Sequence, residues 1–155
     1  MFSKDELVES ASEHLFPRLK TTSLTLHRFV DFNEEETIEV HRCPRKLIDE
    51  APLFWQLSIE NRSDFSPGDE SYRDRFIQDA LCKPIDVKDV LARYQKLRKT
   101  GKSERFDDFL DEAGALVDAL LMLDGKNDWC VVGQSRREFV AIHWSQGEPK
   151  PDDED

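Results

Sequence analysis

The stretch from Ser103 to Trp144 constrains the fold more than any other part of the chain. Its apolar residues fall at Phe106, Phe109, Leu110, Ala113, Leu116, Val117, Leu120 and Leu121, one every three or four positions. That period traces one face of a 3.6-residue helix and predicts a long amphipathic helix, capped by Ser103 and ended at Gly125. Two β-rich runs follow, Trp129-Cys130-Val131-Val132 and Phe139 to Trp144, and they predict a hairpin. A helix running into antiparallel strands points to an α+β fold.

The rest of the chain fits that class. Ser3-Lys4-Asp5-Glu6 has the form of a capping box, with Leu7, Val8, Ala11, Leu15 and Phe16 as the buried stripe of a first helix that ends at Pro17 or at the Thr21-Thr22 pair. Ser23 to Phe29 and Thr37 to Arg42 read as two antiparallel strands joined by the acidic loop 31–36. Pro44 opens a short helical turn through Ile48. In residues 53–60, Leu53, Trp55, Leu57 and Ile59 alternate with Phe54, Gln56, Ser58 and Glu60, which predicts a third strand. The alternative for the same residues is a two-turn helix starting at Pro52. Ser66-Pro67 is then a helix start, Pro84 a stop, and Asp86 the cap of a further helix that ends in Arg93, Lys96, Arg98 and Lys99 before Gly101. The predicted order is α-β-β-(β)-α-α-α-β-β: one antiparallel sheet of four to five strands, shared by the terminal hairpins and covered by a helical layer. Residues 1–146 form one domain on this reading, and 147–155, with two prolines and a run of acids, form a disordered acidic tail.

With 155 residues, 38% of them apolar, and ten Phe and three Trp, the chain can build a core without staples. Cys43, Cys82 and Cys130 contain no CxxC and are odd in number. The N-terminus turns polar at once, and no run approaches the ~18 apolar residues of a membrane span. The expectation is a cytoplasmic chain with free thiols. A balance of 22 basic against 33 acidic residues, net −11, repels nucleic-acid phosphates and anionic lipids and attracts basic protein surfaces.

Residues able to carry chemistry are few. His27 and His41 each stand on a predicted strand directly before an Arg, and two such histidines could face one phosphate-binding cleft. Phe29 and Cys43 stand where a two-histidine phosphoesterase needs Ser or Thr, so half-exposed strand histidines are the plainer account. His41, Cys43, Cys130 and His143 are metal-competent types, but no pair has a closed-site spacing, and no metal or cofactor is expected. The pairs Asp107/Asp111 and Asp108/Glu112 lie one helical turn apart on a solvated face. Trp129 and Trp144 read as cross-strand core aromatics, and Gly133 as a bulge or a close backbone approach.

In size, acidity and lack of a catalytic signature the chain resembles bacterial immunity proteins, inhibitors and secretion chaperones. The likeness is one of composition and carries no residues across. The function expected from the sequence is a non-enzymatic acidic binding module, an immunity or inhibitor protein that neutralises a basic partner such as a toxin or nuclease. Its contact residues would be Glu34, Glu35, Glu36, Asp107, Asp108, Asp111 and Glu112, with no catalytic residues. A small enzyme using His27 and His41 on a phosphate-containing substrate is the alternative. A secretion-type chaperone, or a subunit that builds a homo-oligomer through an exposed sheet edge, is a third.

Overall fold

The computed structural model describes residues 1–13, 27–32, 36–48, 50–66, 69–97 and 103–147. Helix α1 (Lys4–Glu13) opens with the reciprocal cap its sequence predicts: Glu6 N donates to Ser3 Oγ at 3.1 Å and Ser3 N to Glu6 Oε1 at 3.3 Å. Strands β1 (His27–Phe32) and β2 (Glu36–Pro44) pair antiparallel and are followed by a turn in which Leu47 N reaches Pro44 O. Helices α2 (Ala51–Glu60) and α3 (Glu70–Gln78), the two-residue strand β3 (Lys83–Pro84), and helices α4 (Val87–Leu97) and α5 (Ser103–Asp111) come next. Three strands close the described chain: β4 (Asp118–Asp124), β5 (Asp128–Gln134) and β6 (Glu138–Gln146). The predicted positions 14–26, 33–35, 98–102 and 148–155, which include the second half of the first helix stripe, the Gly101 turn and most of the acidic tail, lie outside the described residues.

The sheet is antiparallel throughout, in the order β1-β2-β6-β5-β4-β3. The terminal hairpins share it, as predicted, because β2 and β6 pair along their full lengths from Glu36–Gln146 to Pro44–Glu138. Strand alternation splits the apolar residues between two layers. Cys43, Leu120, Met122, Cys130, Val132, Phe139 and Ala141 meet Leu7 of α1, Phe54, Trp55, Leu57 and Ile59 of α2, and Phe76 and Ile77 of α3. Ile38, Val40, Leu121, Trp129, Val131, Ile142 and Trp144 meet Val90 and Tyr94 of α4 and Leu110 beyond them. Helices therefore cover both faces. Trp129 and Trp144 are register partners inside the second layer, so the cross-strand core reading of these aromatics holds.

Two elements differ from the sequence reading. The long helix stops at Asp111, and residues 118–124 form strand β4, which lies between β5 and the two-residue edge strand β3. Gly114, at φ +91°, makes the break, since a left-handed backbone costs any other residue side-chain strain. Ala119 and Leu121 fill one layer while Leu120 and Met122 fill the other. A strand buried on both sides shows an unbroken apolar run, which helical spacing also accommodates. Residues 53–60 form helix α2, starting with Pro52 in its first turn. Ala51 and every residue from Phe54 to Ile59 are buried, so no single apolar stripe marks the helix. Asp69, not Ser66, caps α3, accepting from Tyr72 N at 3.1 Å. Asp86 caps α4 through Lys88 N, as predicted.

Gly133 is the predicted close approach, for a Cβ there would stand 3.2 Å from Asp118 O on β4. No described helix is long and apolar enough to cross a membrane.

Candidate functional site

A row of buried polar side chains lies between α2 and the sheet. The register places His41 and His143 on neighbouring strands β2 and β6, with ring centroids 5.0 Å apart. Ser58, on the inner face of α2, sits between them, and its Oγ is 2.7 Å from His41 Nδ1 and 2.7 Å from His143 Nε2. Beyond His41, Nε2 meets Glu39 Oε2 at 2.8 Å, and Glu39 Oε1 accepts from Ser63 N at 2.9 Å and from Ser63 Oγ. Beyond His143, Nδ1 meets Arg62 Nη1 at 2.8 Å. Arg62 Nε also donates to Tyr72 OH and Asp64 Oδ1, and Tyr72 OH donates to Asp64 at 2.6 Å. Trp55 stacks on His143 at 5.3 Å, and the Arg62 guanidinium lies over Phe76 at 4.8 Å.

The end groups dictate the protons. Arg62 can only donate and ionised Glu39 can only accept. His143 must therefore accept at Nδ1 and carry its proton on Nε2, which donates to Ser58. Ser58 then donates to His41 Nδ1, and His41 Nε2–H donates to Glu39. Both imidazoles are neutral in this order, and all four of their ring nitrogens are engaged. The environment agrees: burial, then the charge of Arg62, holds His143 well below its ordinary range. Burial also lowers His41, against the opposing pull of Glu39. Burial alone would raise the Glu39 carboxyl, but the hydrogen bonds from His41 and Ser63 outweigh it and leave it lowered. Cys130, 3.3 Å from His143 Nδ1, is pushed up to about 12 by burial and stays a thiol.

Glu39, His41 and Ser58 repeat the donor order of an orienter, a base and a nucleophile. Two features withhold that chemistry. Ser58 has no exposed surface, and its oxygen also accepts from His143, which lowers its nucleophilicity. A recess of about 260 Å³ lined by Thr37, Glu39, Arg62, Ser63, Asp64, His143 and Ser145 reaches the row, but Ser58 is not among its walls. The arrangement ties α2 to β2 and β6 and fixes two tautomers. Each of its hydrogen bonds contributes about 1 kcal/mol net. Burial of Phe54, Trp55, Leu57 and Ile59 contributes about 1.5–3 kcal/mol per side chain and dominates the docking of α2.

The sequence-predicted residues fall as follows. The β1–β2 register pairs His27 with Arg42 and Arg28 with His41, so position 27 does not stand across from His41. The histidine that His41 meets, through the Ser58 hydroxyl, is His143, which the sequence offered only within a metal-competent set. His143 and Cys130 do converge with His41, with Arg62 among them, and no group of three His, Cys, Asp or Glu among the described residues is arranged to hold a metal ion. Ser58 and Arg62 carry no sequence signal, because neither belongs to a spaced motif and the alternation of residues 53–60 predicts a strand where α2 forms.

Of the seven acids, Glu34 and Glu35 lie outside the described residues. Glu36 is buried and accepts from Trp144 Nε1 at 3.0 Å. Asp107 is partly buried, while Asp108, Asp111 and Glu112 are exposed at the end of α5, with Glu112 also ion-paired to Arg42. Comparison of the chain with protein-family models, curated proteins and solved structures gave no match.

Proposed function

We propose that the chain is a non-enzymatic, acidic protein-binding module, most concretely an immunity or inhibitor protein that docks on a basic partner such as a toxin or nuclease. The observation that carries this reading is where the charge surplus sits. Among the described residues the mostly buried charges nearly cancel, with Arg42, Arg62 and Arg73 set against Glu36, Glu39, Glu60 and Glu138. Most of the negative surplus that the described residues carry is therefore left to their exterior, where a field of one sign steers a cationic surface into encounter. Asp108 and Asp111 are the acids best placed to meet it, exposed one turn apart on α5.

The test is a capture experiment with the full chain, followed by kinetics on whatever high-pI protein it retains. The association rate should fall about tenfold or more between low and physiological salt, as a steered encounter does. It should fall again for the pair Asp108→Lys and Asp111→Lys at fixed salt. An association rate indifferent to both changes removes the reading.

A further inference from the structure

We propose that the recess at the β5–β6 turn is a binding site for the phosphate group of a small molecule. On a chain with a net charge of −11, one hollow of about 400 Å³ is walled by Arg45, Lys46, Arg136 and Arg137 beside Pro44, Glu112 and Glu138. Both carboxylates are committed to one cation. Arg42 Nη1 holds Glu138 at 2.8 Å, its Nη2 holds Glu112, and the guanidinium lies over Phe109 at 4.6 Å. Among the described residues, no ion pair engages Lys46, Arg136 or Arg137. Four cations thus gather where acids were plentiful enough to separate them.

The cations stand on a rigid frame. Ser135 is buried, and its Oγ accepts from Arg137 N at 3.2 Å and Glu138 N at 3.0 Å while donating to Ala113 O at 2.6 Å, which fixes the tip that carries Arg136 and Arg137. Arg45 is pinned to the same tip, with its N donating to Arg137 O at 2.7 Å, its Nη1 to Ser135 O at 3.0 Å, and its guanidinium over Phe139. Holding the Arg45 guanidinium and the backbone of the tip in place before the ligand arrives removes part of the ordering cost, and the planar forks of the three arginines match phosphate oxygens in pairs. The size of the ligand follows from the whole molecule. Screening confines attraction to about 8 Å at physiological ionic strength, so a compact anion feels the recess while a long polyanion also meets the acidic body. A phosphate monoester or a short oligophosphate fits both conditions, and a nucleic acid does not.

The full chain is titrated with inorganic phosphate, with tripolyphosphate and, at matched ionic strength, with sodium chloride, following backbone amide shifts. Saturable shifts at residues 45, 46, 136 and 137 with either phosphate species, absent with chloride, are expected. Saturation by phosphate itself marks a free anion, and saturation by tripolyphosphate alone marks a larger phosphate compound. The exposed double variant Arg136→Ala with Arg137→Ala keeps the backbone hydrogen bonds of the turn and should weaken binding about tenfold or more, as loss of two charge-assisted contacts implies. The single variant Lys46→Ala, on the other wall, should weaken it less. Shifts that never saturate, shifts reproduced by chloride, or an affinity unchanged in the double variant would each overturn the site.

Discussion

Ser58 is the residue on which the interior polar row turns, because its hydroxyl is hydrogen-bonded to both imidazoles. Ser58→Ala leaves His143 Nε2–H and His41 Nδ1 without partners in a buried setting, and stranding two such groups costs about 2–4 kcal/mol. The thermal midpoint should fall by roughly 2–4 °C for each of those kcal/mol. A midpoint equal to that of the parent chain would show that the hydroxyl bridges nothing. The histidines themselves set a pH dependence. Both have folded pKa values below the ordinary 6.5, so as pH drops through that value the unfolded chain takes up protons that the folded chain refuses. Stability present at neutral pH is therefore lost on acidification, at up to about 1.4 kcal/mol per pH unit for each imidazole. Glu39, held below 4.5, adds a second loss below that pH. The urea midpoint should drop between about pH 7.5 and pH 5.5. If it holds level there, the neutral row is wrong.

Elements divide into those whose signal is local and those whose signal comes from their neighbours. The caps at Ser3 and Asp86 were legible because the side chain and the amide it serves lie within three residues. The pairing of the two hairpins was legible from their marginal stability apart. Helix α2 and strand β4 were not. Each is buried all round, and burial on every side erases the periodicity that separates helix from strand. The candidate site inherits that difficulty, since Ser58 rides on α2 and meets His143 across 85 residues of sequence. One residue, Gly114, separates the predicted long helix from the observed helix and strand. Placing Ala at φ +91° strains the backbone by roughly 1–2 kcal/mol, whereas in a continuous helix the same change would stabilise by up to about 1 kcal/mol. Gly114→Ala should therefore lower the denaturant midpoint with its slope unchanged. A raised midpoint would restore the helix through residue 114.

At the scale of the whole molecule, sequence counts charge but not depth. Glu36 belonged to the predicted contact set by its place in an acidic loop, yet it is buried against Trp144, while the basic tip at Arg136 and Arg137 carried no motif to draw attention. What the count does fix is the sign of the exterior, since the buried charges nearly balance. A chain with a net charge of −11 repels itself, and folding gathers the exposed acids of its described residues closer together than the unfolded chain does. Raising sodium chloride from about 0.05 M to about 0.5 M shortens the screening length and should relieve that repulsion. The thermal midpoint should rise with salt, by roughly 2–4 °C for each kcal/mol recovered. The direction is the decisive point. Ion pairs such as Arg42–Glu138 would weaken with salt and pull the midpoint down, so a falling midpoint would mean that specific pairs outweigh the net field. The acidic exterior would then be too well compensated to steer any partner.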